Sequence, residues 1–430
     1  MFLIPKASLK GYTFLLLITA LLGVHFFSVT LGGIQLTPYR VLLILAPFMF
    51  VKVKGSVIMK LKQSPNYSYF AFILFWVCYS FASLILVEDF VAWGKMYIFL
   101  FSGFITTWYI GLFFTNKHDV VNALRVLEFV SFLYAIIAFY EIFTGNYLFY
   151  NRSLEFYQER SAIYSTIGFR VPIGVFSNPN NYSLFLIFSV FFSLALLKVK
   201  NSKIGRFISL ILAFVFLFLI IATQSRSGFY GLVLGLTAYG IIELIRNGSS
   251  NFTNVILISV GAVFFVVPWL SDNRELYENL MEVDFSGSSG SDGIRINLIK
   301  NGFHFLINSV FLGVGLGNIE YHMSHNAVYQ TGDITNIHNW WMEILVSSGI
   351  FVFVYYFSVY MNTIKRLFKF SLRNQDKDLK YLSSVFFALL VSFFVASVGS
   401  SSLMYNEWIW PLIAVVMSFV NLNISRPKGI

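Results

Sequence analysis

Twelve apolar runs divide this 430-residue sequence and constrain it more than any other feature. A helix needs about 20 mostly apolar residues to cross the hydrocarbon core of a bilayer. The runs fall near 12–31, 36–51, 67–87, 90–114, 126–143, 182–197, 207–222, 229–245, 255–270, 340–361, 381–400 and 407–420. They predict an all-α polytopic membrane protein of about twelve transmembrane helices. The second run, with Pro38, Arg40 and Pro47, is the poorest of them. The first is too long for a cleaved signal peptide and no small-residue cleavage site follows it. Composition agrees. Only 12% of the residues are charged, about half the share of a soluble domain, and the 50 Phe suit a lipid-facing surface. The lone cysteine, Cys78, excludes an intrachain disulfide framework and a Cys-rich metal site.

The net charge of +10 invites a nucleic-acid reading, and its distribution removes it. Cytoplasmic loops collect Lys and Arg. With the N-terminus inside, the inner segments hold most of the 30 basic residues, including the runs Lys52–Lys62, Lys198–Arg206 and Lys365–Lys380. The outer segments hold Arg152, Arg160, Arg170, Arg226, Arg274, Arg295 and Lys300. The bias repeats from loop to loop. The basic charge is therefore a topology signal, which places both termini in the cytoplasm and the chain in the cytoplasmic membrane.

The spans divide the chain into five stretches. Residues 1–143 hold spans one to five and residues 144–181 an outer loop. Residues 182–270 hold spans six to nine, 271–339 a large outer loop, and 340–430 the last three spans. Long ordered loops are usually functional. The second contains a flexible Ser/Gly stretch, 286–293, and then an amphipathic helix over Ile294–Asn308, with Asp292 as its cap. Ile294, Leu298, Ile299, Phe305 and Leu306 form its apolar face, which suits the outer membrane surface. The inner Lys365–Lys380 stretch reads as a charged, solvated connector.

Several outer-face residues can carry chemistry. Arg226 lies in a short turn, Thr223–Gly228, on the side where the positive-inside rule disfavours it. It either snorkels to lipid phosphate or aims at an anionic substrate. Arg295 opens the amphipathic helix, where free N–H groups favour an anion. It reads equally as a solvated Arg on a polar face. The Gly313-Val-Gly-Leu-Gly317-Asn318 run lacks a Walker lysine, so a structural turn is the better reading. His338-Asn339 stands where the loop meets the tenth span, with Glu343 one turn on. His can take a proton from a hydroxyl near neutral pH, though a His at a helix start is often only interfacial. His325-Asn326, His304 and His322 are rivals. Asn180, in the Asn-Pro-Asn-Asn run before span six, reads as a turn with a sugar-binding option.

In order and context, these features resemble the O-antigen ligase and O-antigen polymerase superfamily of bacterial surface-polysaccharide enzymes, teichuronic-acid-type polymerases included. Ser225-Arg226-Ser227-Gly228 is similar to the family's S-R-G turn, and Gly293-Ile294-Arg295 to its G-R pair. Phe311–Asn318 is similar to its G-x-G-x-G-N run, and His338–Leu345 with Gly349 to its H-N…E-x-L…G pattern. The resemblance covers about 207–364; the earlier spans match by topology only. It favours His338 over His325. Two departures are Ile294, inserted before Arg295, and Ser227 where Gly is usual.

The resemblance implies glycosyl transfer on the outer face from a glycan on a polyprenyl diphosphate to a sugar hydroxyl. His338 would be the general base. Arg226 and Arg295 would meet the leaving diphosphate, whose growing charge calls for cations in a low-dielectric site. All three are expected to converge in one outer cavity. Arg170, Asn180, Asn318, Asn339 and Glu343 are candidate substrate-binding residues. No cofactor is called for, and no outer acidic cluster suited to a metal is visible. The expected partners are the lipid-linked donor, a glycan acceptor and the bilayer, with a flippase and a chain-length regulator beside them. Polymerase is the preferred reading; a ligase acting on a finished glycan and a polysaccharide flippase stay open. Transporters place ionisable residues at the bilayer midplane, and here Arg40 and Lys95 are the only basic candidates within spans.

Overall fold

The computed structural model describes residues 6–31, 34–51, 67–149, 169–200, 202–247 and 291–424. Among these, eight helices are long and apolar enough to cross a membrane, and three shorter apolar helices, Leu9–Gly23, Pro38–Met49 and Ile409–Leu422, accompany them. The fold is an all-α, multi-pass membrane protein. The expected ninth span, 255–270, and the Ser/Gly stretch up to residue 290 lie outside the described residues.

In chain order the helices are α1 (Lys6–Phe26), α2 (Pro38–Val51), α3 (Tyr67–Ala82), α4 (Phe90–Phe113), α5 (Lys117–Thr144), α6 (Pro179–Val199), α7 (Lys203–Ala222) and α8 (Arg226–Asn247). After them come α9 (Ser291–Asn308), α10 (Ile319–His325), α11 (Trp340–Arg373), α12 (Lys377–Ala396) and α13 (Ile409–Ile424). Side-chain caps set several starts. Asp89 accepts from Val91 and Ala92 N–H at the head of α4. Asn178 caps α6 ahead of Pro179, and Asp376 caps α12. Two boundaries differ from the sequence expectation. The first run stops as a helix at Phe26, and Val29–Leu31 pairs with Ile34–Leu36 as a short antiparallel hairpin, β1–β2. The Lys365–Lys380 stretch is mostly helical: α11 runs on to Arg373 and α12 begins at Lys377. Lys and Arg are good helix formers, so charge ends a membrane span without ending the helix.

The chain divides into two compact units. The first comprises residues 1–123, 284–365 and 402–430; the second comprises 124–283 and 366–401.

In the second unit α6 is buried nearly all round, with 83% of its apolar window covered, so it is the core strut. Small residues let α8 close on α12: a Cβ at Gly231 or Gly235 would strike the Ser392 or Ala388 carbonyl. This is the small-residue packing expected where lipid supplies no hydrophobic drive between helices. Lys200 closes the end of α6 through Glu128 at 2.6 Å and Ser209 at 2.8 Å.

In the first unit Tyr12, Leu16, Ala20, Tyr39, Leu43, Ala46, Ile105 and Tyr109 join α1, α2 and α4. Gly103 of α4 admits the Trp410 ring of α13. Trp76, Trp340, Tyr356 and Trp410 form one aromatic cluster with centroids 6.0–6.4 Å apart. Arg40 lies in the first turn of α2, paired with Glu407 at 2.7 Å and 5.2 Å from the Phe99 ring centroid.

Candidate functional site

The first unit builds its site on a broken helix. Gly349, at φ 77°, interrupts α11 after its opening turns. The break frees the carbonyls of Val346 and Ser347, which accept from Val314 and Gly315 at 2.9 and 3.0 Å. Ile350 N–H turns back to the Phe311 carbonyl at 3.0 Å. A broken helix survives in a membrane protein only where its backbone groups find such partners. Gly313, Gly315 and Gly317 all hold positive φ, and a Cβ at Gly313 would strike the Gly349 backbone. The glycine run is therefore the docking strip for the break, with its Val314 and Gly315 amides engaged by α11 rather than gathered into a phosphate cradle.

Asn318 finishes that strip. It is fully buried, its Oδ1 accepts from Glu88 and Asp89 N–H at 3.0 and 2.7 Å, and its Nδ2 donates to the Leu316 carbonyl. Asn339 also works on backbone, capping α11 through Trp341 and Met342 N–H.

Immediately before the Asn339 cap stands His338. It is a half-buried non-glycine residue at φ 49°, a left-handed conformation that persists only where the surroundings impose it. Asn336 Oδ1 accepts its backbone N–H at 2.9 Å. Ile337, one residue earlier, is buried in a core cluster with Leu298, Phe305, Leu306, Val314 and Val346. Gly302 of α9 leaves room for Ile337. Packing on both sides thus fixes the residue that carries the imidazole. Burial first, and the nearby Arg295 guanidinium second, push His338 down to about 4. The ring is neutral at physiological pH, with a lone pair beside a cation.

Arg295 sits in the first turns of α9, which starts at Ser291, ahead of the expected Ile294. Leu298, Phe305 and Leu306 of this helix are buried against protein, and Ile294 and Ile299 are partly buried there. The apolar face predicted for the membrane surface is thus covered within the unit, because the loop returns under it. Ile296, Phe303 and Ile307 are exposed instead, next to exposed Val310, Phe311 and Leu312.

Glu343 follows one turn after Asn339, buried at 5% exposure. It accepts from the backbone N–H groups of Leu403 and Met404, while its Oε2 has no hydrogen-bond partner. Sequence reasoning missed Asn336, Glu320 and Ser402, which meet here. Asn336 Nδ2 donates to Glu320 Oε1 at 3.3 Å and to Ser402 Oγ. An Asn two residues before a His was the available signal for the turn, since Asn side chains cap backbone two residues on. Nothing local joins Glu320 to Ser402.

The second unit presents the other predicted residues. Arg226 is the first residue of α8, after Gln224 at φ 55°. A Cβ at Gly228 would collide with Ser183 Oγ, so this glycine allows α8 to abut α6. A Cβ at Gly399 would collide with Ser227 Oγ and lie 4.0 Å from Asn180 Cγ. The unusual Ser227 is therefore housed by a glycine on the opposite segment, and Asn180 belongs to the same cluster. Arg170 lays its guanidinium 4.6 Å from the Tyr147 ring centroid. Its loop is held by Glu141, which accepts from Ile173 and Gly174 N–H at 2.7 and 2.9 Å.

Two comparisons with known proteins identify the family. The family model described as O-Antigen ligase matches residues 208–357, from α7 into α11. The teichuronic acid biosynthesis protein TuaE of Bacillus subtilis (strain 168) is 31% identical over 431 aligned positions, spanning 95% of this chain and 83% of the relative. The chain belongs to the O-antigen ligase and polymerase superfamily of surface-polysaccharide biosynthesis proteins.

Proposed function

We propose that the protein polymerises lipid-linked oligosaccharide repeat units on the outer face of the cytoplasmic membrane, by glycosyl transfer from a polyprenyl diphosphate donor. The observation that carries this reading is His338. A general base must be unprotonated before it can act, and this imidazole is neutral, half-buried and held in a left-handed turn at the head of a helix. His338 takes the proton of the acceptor hydroxyl as that oxygen attacks the anomeric carbon and the diphosphate leaves. Arg295 meets the charge that grows on the leaving diphosphate. A bound diphosphate also offsets the smaller of the two causes that depress His338, so donor binding raises the basicity of the ring.

Arg226 is proposed as a donor-binding cation in its own right, on the likeness of its turn to the family's. Arg170 and Asn180 are proposed glycan contacts, and Asn318 and Asn339 positioning residues. The exposed Ile296, Phe303 and Ile307 face of α9 is proposed to lie against lipid. Both termini are proposed to be cytoplasmic. Labelling of single cysteines in a Cys78→Ala background tests this, and labelling of 365–380 from outside contradicts it.

The relative is a teichuronic acid biosynthesis protein, which supports a polymer as product. The test of function follows glycan length on gels together with the sidedness of lipid-linked repeat units in the same cells. His338→Ala should leave single repeat units outside and no polymer. Units trapped inside would mark a flippase, and normal polymer would remove the catalytic assignment.

A further inference from the structure

Asn336 joins two residues of the first unit that hold the same rare backbone conformation. His338 lies at φ 49° and Ser402 at φ 45°, both left-handed and neither a glycine. Such residues persist only where the fold over-determines them, and they cluster at functional sites. One side chain serves both. Asn336 Oδ1 accepts from the His338 backbone N–H at 2.9 Å, and its Nδ2 donates to Ser402 Oγ.

Ser402 is held in turn by the segment that follows it. The Tyr405 N–H and Asn406 Nδ2 both donate to its carbonyl, at 3.1 and 2.9 Å. The backbone N–H groups of Leu403 and Met404 go to Glu343, in the opening turns of α11. The turn therefore grips the chain on both sides of His338, at Asn336 before it and at Glu343 after it. Charge fixes the far end. Glu407, with a side chain only 7% exposed, accepts from Arg40 Nε of α2 at 2.7 Å. The same guanidinium lies 5.2 Å from the Phe99 ring centroid, and that ring meets the Tyr405 ring edge-on at 5.5 Å. This end of α2 is itself fastened to α4, because the fully buried Tyr39 shares a 2.7 Å hydrogen bond with Thr106. Desolvation offsets much of the attraction in a buried ion pair, so stability alone is a weak reason for one; fixing a unique arrangement is a better one.

We propose that Arg40 and Glu407 are positioning residues for His338: their ion pair ties down the 402–407 segment, whose Ser402 hydroxyl, through Asn336, holds His338 in its left-handed turn. Neither residue touches donor or acceptor. The inference rests on the role given to His338 above, and it gives the arginine at the head of α2 a part in the chemistry.

The test titrates the ring itself and needs no turnover, so its failure is distinct from failure of the proposed reaction. Diethyl pyrocarbonate acylates neutral imidazole. Peptide mass spectrometry follows His338, with the exposed His325 as reference, in the full chain in neutral detergent between pH 4 and 8. In the wild type His338 should react slowly and keep reacting to about pH 4 to 5, because burial and Arg295 hold it at about 4. In Glu407→Gln the ring should react severalfold faster, with its midpoint moved toward the ordinary 6.5. Ser402→Gly should do the same, since glycine keeps the left-handed turn and only the hydroxyl is lost. Glu407→Asp should restore the wild-type midpoint. None of these changes touches Arg295. If Glu407→Gln does not fold, Arg40→Met with Glu407→Met removes the pair without stranding a charge, and should show the same shift. Glycan extension by the pair's variants should lose about tenfold to a hundredfold in kcat, the usual result of misplacing a catalytic group. Unchanged His338 reactivity in those variants overturns the proposal, even if they melt earlier or extend less. So does a shift confined to Ser402→Gly, or a wild-type midpoint already near 6.5. Normal extension by His338→Ala would remove the catalytic role and leave the positional result standing.

Discussion

His325-Asn326 and His338-Asn339 are the same dipeptide in the same segment ahead of α11, and the fold treats them oppositely. His325 ends the two-turn helix α10, exposed, with Nδ1 at 2.9 Å from the Tyr321 carbonyl and its ring stacked 4.3 Å from that of Tyr321. Asn326 reaches back to His322 at 2.9 Å. Every one of these contacts is local, four residues or fewer along the chain. His338 draws on distant elements: α9 through Gly302 and Arg295, the glycine strip through the broken α11, and the 402–405 turn through Asn336. Proton transfer needs a group held to a fraction of an ångström, and long-range support of this kind provides that tolerance.

The largest expected effect separates the two pairs directly. His338→Ala should lower polymer formation by about 10²–10⁴-fold, the usual loss when a general base is removed. His325→Ala should change it less than about twofold, because an exposed side chain with local contacts has little to lose. Equal losses would show that the left-handed turn at His338 has no bearing on chemistry.

Next come the cations. Arg295→Lys and Arg226→Lys should each cost about tenfold to a hundredfold in rate, since an ammonium cannot reproduce the planar fork that meets a phosphate. Unaltered rates would detach that arginine from the diphosphate.

The third expectation concerns pH. The folded His338 sits at about 4, below the ordinary value of 6.5. The neutral form is therefore the native form, and its contribution to stability is complete above 6.5 and lost as pH falls toward 4. The acid limb of kcat/KM should lie near pH 4 to 5, where an ordinary solvated imidazole would place it near 6.5. A limb at 6.5 would mean that the ring is solvated in the working enzyme.

The smallest effect distinguishes the asparagines. Asn339→Ala removes the α11 cap and should cost about 1 kcal/mol of stability. Asn326→Ala should fall within about 0.5 kcal/mol of wild type. Thermal melting of the purified variants checks both.

The sequence shows the membrane helices well because a span is a local property: some 20 apolar residues announce themselves whatever they pack against. It shows the wrong boundaries at 26–36 and 365–380, where helix formation and membrane crossing part company. Hairpin pairing ended the first helix early, and helix-forming Lys and Arg prolonged α11. The glycine run was legible as a turn, but its partner, the break at Gly349, is a matter of tertiary docking. Among the candidate residues, type and order singled out His338, Arg295 and Arg226. Glu320, Asn336 and Ser402 escaped because their meeting depends on a chain return from residue 402, which no local pattern encodes. Glu343 was visible as an acidic residue near a span end, yet its unpartnered oxygen appears only once Leu403 and Met404 cover the other side.

The most direct test of the central claim is reconstitution. The purified chain in proteoliposomes, supplied with polyprenyl diphosphate-linked repeat units, is followed for a ladder of longer lipid-linked glycans and for released polyprenyl diphosphate. The wild type should produce both, one released carrier for each added unit, and the His338→Ala protein neither. Intact repeat units that cross the bilayer without lengthening, in wild type and variant alike, would contradict a polymerase and the role given to His338.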